Sequence, residues 1–265
     1  MSDRQPGRRL SWPWFLVVVL VYLGTLQGLR ILTGVDTSGS NSEFPTTEAL
    51  VRNVLIPVGA SIVFVAAVVT WLGWWGEILR YRAPVRRWVR WVPVSMLLAA
   101  LIGLNYGHLA DRSGAMIGCL LLGLFVGVGE ELMFRGIGVH FFNRAGFSEG
   151  KVALYSSVVF GLAHVSNALG HGPQAILQAV IVFTSGYFFY LCLRVGGVIL
   201  LPVLVHGLWD TSLFSSQVGA EPSAYPGLVL VILLQIVLIV VLFVRRRSVE
   251  PVAAVAEARS PAHRR

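Results

Sequence analysis

The run WPWFLVVVLVYLGTLQG beginning at Trp12 and the run GLVLVILLQIVLIVVLFV beginning at Gly227 carry no Asp, Glu, Lys or Arg. Stretches of this kind recur along the chain. A helix needs ~20 mainly apolar residues to cross the hydrocarbon core of a bilayer. On that criterion spans are expected near 12–33, 53–76, 91–109, 115–142, 152–169, 174–194, 197–216 and 226–244, an all-α polytopic membrane bundle of about eight helices. Composition agrees: 55% of the 265 residues are hydrophobic and 13% charged, with mean hydropathy +0.73, too apolar for an ordinary soluble domain. Arg8 and Arg9 ahead of the first run imitate a secretory signal. The run is long and has no small-residue cleavage site, so it reads as a retained first helix. Cys119 and Cys192 each stand alone in apolar sequence and read as packing residues.

The charge of +8 is unevenly spread. RYRAPVRRWVR (80–90), the segment around Arg144 and Lys151, Arg194 and the residues after Val244 are basic; the alternate loop 34–52 carries Asp36, Glu43 and Glu48. By the positive-inside rule both termini are expected in the cytoplasm of a multi-pass cell-membrane protein. The arginines then mark loops, and no nucleic-acid partner is implied. Residues 1–244 read as one transmembrane domain, 77–90 as an amphipathic surface helix, and 245–265 as a basic, disordered cytoplasmic tail.

Against this background the stretch GEELMFRG, 129–136, is anomalous. A charge near the bilayer centre costs at least ~2.5–3.5 kcal/mol, so Glu130, Glu131 and Arg135 together need a reason. At 100° per residue Arg135 lies ~40° around the helix from Glu131 but ~140° from Glu130. Glu131 and Arg135 can therefore pair, leaving Glu130 free for general-base chemistry. Gly123 and Gly127 flank the same face and leave room for another backbone or a substrate chain. Two further spans carry polar groups: Phe160 with His164, and His206 with Asp210. Measured along the helix rise from the cytoplasmic ends, Glu130 and His164 both lie ~18 Å in and His206 ~14 Å in. Taken singly, the Glu131–Arg135 pair reads equally well as a structural ion pair. A lone histidine reads as a bundle residue, and Asp210 as a group holding an imidazole tautomer. Three sets at matching depth argue for one site, expected in a cavity open to the cytoplasmic side. His108, His140, His171 and His263 lie at ends, in loops or in the tail and receive no role.

In this order and placement EExxxR (Glu130, Glu131, Arg135), FxxxH (Phe160, His164) and HxxxD (His206, Asp210) resemble the CAAX-protease and bacteriocin-processing (CPBP, Abi) family of intramembrane proteases. That family includes the type II CAAX prenyl endopeptidases. The resemblance spans about residues 91–216. It implies an eight-helix membrane endopeptidase in which Glu130 and His164 activate a water while His206 and Asp210 assist at the oxyanion. Glu131, Arg135 and Phe160 support them. Prenyl-processing members often carry Asn at the last position, so Asp210 shifts the resemblance toward the bacterial branch.

The expected activity is hydrolysis of a peptide bond in a peptide or membrane-protein substrate within the lipid bilayer. Glu130 would take the proton of the water and return it to the leaving amine, with His206 donating to the oxyanion. A close rival uses Glu130, His164 and His206 as the two-His, one-carboxylate ligands of a divalent metal such as zinc, although no HExxH motif is present. Metal-free glutamate catalysis is preferred over it. A non-catalytic membrane immunity or scaffold protein ranks second, and a proton-coupled transporter, whose relay would string polar groups along the membrane normal, third.

Overall fold

The computed structural model describes residues 7–81 and 83–245; the expected tail, with His263, lies outside them apart from Arg245. Among the described residues the structure is helical, with two isolated β-bridges. Eight helices form the bundle: α1 (Trp12–Thr33), α2 (Thr47–Leu72), α3 (Trp91–Gly103), α4 (Gly114–Arg144), α5 (Glu149–His164), α6 (Gln174–Gly196), α7 (Leu200–Phe214) and α8 (Gly227–Arg245). Five of them, α1, α2, α4, α6 and α8, are long and apolar enough to cross a membrane. The other three expected spans are helices of 13, 16 and 15 residues, shorter than the ~20 that a bilayer requires. The architecture is thus an all-α polytopic bundle with five full-length spans and three shorter helices packed among them.

Local chemistry sets the boundaries. α1 opens with Pro13 in its first turn, where a missing N–H costs nothing. Thr46 and Ser113 cap the starts of α2 and α4 by accepting from Ala49 N and Met116 N. Gly73 and Gly197 end α2 and α6 in the left-handed conformation, at φ 72° and 64°, which favours glycine because it lacks a Cβ.

Tertiary contacts define two ends. At one, Arg144 pairs with Glu77, Arg80 bridges to Val198, and Arg194 Nε donates to Ala83 O at 3.2 Å. Tyr81 Oη donates to the Glu149 carboxylate at 2.9 Å. Burial and that carboxylate push the Tyr81 phenol well above its ordinary pKa, so it stays a donor. Tyr81 and residues 83–86 between these contacts carry no helix. The expected continuous amphipathic helix is therefore replaced by a short helix, Trp75–Ile78, and a 3₁₀ turn, Arg87–Arg90. At the opposite end Phe44 bridges to Val218 and joins Leu50, Met116 and Leu120 in a small apolar cluster. Most of the basic loop residues gather at the first end.

Candidate active site

Close packing of α4 on α7 creates the site. A Cβ on Gly127 would stand 2.6 Å from Val203 O, and one on Gly207 3.0 Å from Leu124 O. The first is shorter than real Cβ contacts and the second is tighter than most, so the two glycines let the backbones meet. The expectation for Gly127 holds; a Cβ on Gly123 would instead strike the carbonyl of Leu120 in its own helix. Immediately beyond, α4 changes form: Leu132–Gly138 is a π-helix, buried throughout. Such wide turns are rare and often occur at functional sites.

This approach brings the glutamates of α4 to His206 of α7. Glu131 and Arg135 are fully buried and pair at 3.0 Å between Oε1 and Nη1. The approach is side-on, without hydrogen-bond geometry, so charge rather than a directed bond holds it. Glu131 Oε1 also accepts from His206 Nδ1 at 2.7 Å. The sequence gives no sign of this contact between groups 75 residues apart. Arg135 Nη2 donates to Gly186 O at 2.9 Å, and its guanidinium lies 4.2 Å from the centre of the Phe160 ring and 5.3 Å from that of Phe189.

Phe160 has two roles. Its ring lies edge-on to both imidazoles, 4.8 Å from His164 and 5.9 Å from His206. Its carbonyl accepts from His164 Nδ1 at 2.9 Å, which leaves His164 Nε2 as the free nitrogen. Phe189, unmarked in the sequence, stacks on His206 with centroids 4.2 Å apart and planes 15° apart. Gly186 is equally silent in the sequence, yet a Cβ there would reach 2.7 Å from the Phe160 ring and 3.1 Å from Arg135 Nη2.

Glu130 is held differently. Its Oε2 lies 3.9 Å from His164 Nε2 and 3.6 Å from His206 Nε2. Among the described residues no hydrogen-bond partner reaches this buried oxygen. Asp210 Oδ2 stands 3.4 Å from His206 Nε2, on the same nitrogen that faces Glu130. Every residue singled out in the three motifs therefore lies in one constellation.

Glu130, Phe160, His164, His206 and Asp210 line a cavity of about 800 Å³. A second pocket of about 40 Å³ touches Glu130 and His164 from the side of Tyr22 and Gln27, and exceeds the ~10–15 Å³ that a water needs. The large cavity has a definite direction within the bundle. It runs to the end marked by Phe44 and Phe214, with Arg30, Glu43, Asn53 and Gln178 among its lining. Among the described residues none of the arginine-rich segments 79–90 and 144–151 lines it. At the arginine-rich end Tyr81, Glu149 and Arg194 are joined by side-chain contacts, whereas at the other end the turns that follow His164 contribute Asn167 to the lining.

Among the described residues no group of three or more His, Cys, Asp or Glu side chains is arranged to hold a metal ion.

A polytopic helix bundle enclosing a buried glutamate, histidine and arginine cluster is the class of protein defined by these features. Residues 112–212 match the family described as type II CAAX prenyl endopeptidase Rce1-like, so over that stretch the chain is similar to this family. The match contains all three motifs. No curated protein and no solved structure matches the chain.

Proposed function

We propose that the protein is an intramembrane endopeptidase that hydrolyses a peptide bond with a water activated by Glu130 and His164. The observation that carries this reading is the position of Glu130 Oε2. It is buried, without a hydrogen-bond partner, within 4 Å of two imidazole nitrogens, and on the wall of a pocket that admits a water. A carboxylate so placed has its lone pairs available for a proton that is not already shared. The family match supports CAAX-type protease activity in general; the division of labour below rests on geometry.

The water lies between Glu130 and His164. Glu130 removes its proton as the water oxygen attacks the scissile carbonyl, while His164 Nε2, oriented by the Phe160 carbonyl, accepts the second hydrogen of the water and aims its lone pair. The carbonyl π bond opens to a tetrahedral oxyanion. His206, as an imidazolium carrying a proton on both ring nitrogens, donates from Nε2–H to that oxygen, the ring being kept in register by Glu131 on Nδ1 and Phe189 on its face. Collapse of the intermediate breaks the C–N bond, and Glu130 returns its proton to the leaving amine. Arg135 holds Glu131 in position and does not itself reach the reacting atoms. Asp210 lies beside His206 Nε2, next to the site of the oxyanion.

Proteomics of membrane-associated peptides, comparing cells carrying the wild-type protein with cells carrying Glu130→Gln, tests the proposal. Peptides with new termini that disappear in the variant are expected. Identical peptide populations at equal protein levels would overturn it.

A further inference from the structure

We infer that the cavity receives its substrate from the extracytoplasmic side, as an apolar segment of a membrane-anchored polypeptide with a polar flank at the outer surface. This rests on the protease reading above and concerns which proteins that site can cut. Two independent features of the chain point the same way.

The first is the distribution of charge between the two ends of the bundle. Arg80, Arg86, Arg87, Arg90, Arg144 and Lys151 lie at the end closed by the Tyr81–Glu149 contacts, with Glu77 and Glu149 as the acidic residues there. The other end carries Asp36, Glu43, Glu48, Asp111 and Glu221 against Arg30, Arg52 and Arg112. An excess of arginine and lysine in short loops marks the cytoplasmic side. The cavity opens at the other end.

The second is the lining itself. Toward the acidic end the wall carries the polar groups of Arg30, Glu43, Asn53, Asn167 and Gln178. On the same wall α6 and α8 contribute Leu177 beside Gln178, with Ile181, Ile232 and Ile236 further along the helices; they are 65%, 47%, 57% and 52% exposed. These side chains form a cavity wall that is also open to lipid. The surfaces from mouth to base run from mixed polar and lipid-facing apolar residues, through Ile181 and Ile236, to the Glu130 site. A chain that lies in the outer leaflet with its polar flank in water presents the same sequence, so it can enter without moving a charged group through the bilayer core.

The test uses the full-length chain with Cys119→Ser, since Cys192 is buried, and a membrane-impermeant sulfonated maleimide added to intact cells. Single cysteines are introduced at Ser38, exposed near the cavity mouth, at Gln178 on its lining, and at Arg87, exposed at the opposite end. Ser38→Cys and Gln178→Cys are expected to react in intact cells, and Arg87→Cys only after permeabilisation. The reverse pattern would overturn the inference, and the Ser38 and Arg87 variants report it even if Gln178→Cys fails to accumulate. In parallel, the termini of peptides that depend on Glu130 are mapped, and extracytoplasmic termini are expected. Cytoplasmic termini would refute the direction of access while leaving the protease intact. A complete absence of Glu130-dependent cleavage would instead refute the protease reading, and with it the assigned substrate, whatever side the cysteines report.

Discussion

His206 Nδ1 donates to Glu131 Oε1 at 2.7 Å while Arg135 holds the same oxygen at 3.0 Å. The second glutamate of the EExxxR motif thus joins α4 to α7 as well as neutralising an arginine one turn away. It is the strut of the site, and the first glutamate is the group it leaves free.

Glu131→Gln should therefore behave as a structural lesion. It leaves Arg135 charged in a fully buried position, and breaking a buried pair costs about 3–5 kcal/mol. The variant is expected to accumulate poorly, melt at lower temperature and lose activity together. Normal thermal stability of the purified variant would show that the pair does not carry this load.

The glycine contact between α4 and α7 gives a second outcome. Gly127→Ala places a methyl group 2.6 Å from Val203 O, and overpacking of this kind costs about 1–3 kcal/mol. The helices must separate, which lengthens the Glu131–His206 contact and lowers both stability and turnover. Gly118→Ala, in the same helix with nothing within 4 Å of the added Cβ, should be neutral or slightly stabilising. Melting temperatures of the two variants side by side make the comparison.

Asp210 Oδ2 lies 3.4 Å from His206 Nε2, the nitrogen that also faces Glu130. If it acts as a protonated donor, Asp210→Asn keeps the donor. That variant should retain activity and hold it to higher pH, because an amide does not titrate. A large loss of turnover at every pH in a folded Asp210→Asn protein would show that a carboxylate is needed to hold His206.

Chelation supplies a fourth outcome. With Glu130, His164 and His206 acting as base, water-positioning residue and donor, protein treated with a chelator should cleave as fast as untreated protein. Loss of activity that zinc restores, with one zinc bound per chain, would require the ligand reading instead.

Much of this was legible in the chain. The five long helices were, because an uninterrupted apolar run of bilayer length has few other uses. The convergence of Glu130, His164 and His206 was, because depth along a helix follows from counting residues. Rotation about the helix axes and packing between helices were not. Hence the Glu131–His206 bond, the stacking of Phe189 and the need for glycine at 186 became visible only with the coordinates. The π-helix at Leu132–Gly138 was equally hidden, since α-helical geometry already allowed Glu131 to pair with Arg135. The end at which the cavity opens was not legible either. Equal depth places groups at one level and leaves open the end of the bundle to which the space between the helices runs.

The central claim, that Glu130 is the base, is tested most directly by the cleavage rate of purified wild-type and Glu130→Gln proteins. The substrate is a peptide spanning a site found in the cellular comparison, and the two proteins are matched for melting temperature. Because Glu130 Oε2 has no hydrogen bond to lose, the variant should be as stable as wild type and slower by about 10²–10⁴-fold, the range for loss of a positioned general base. Equal rates in equally folded proteins would contradict the account.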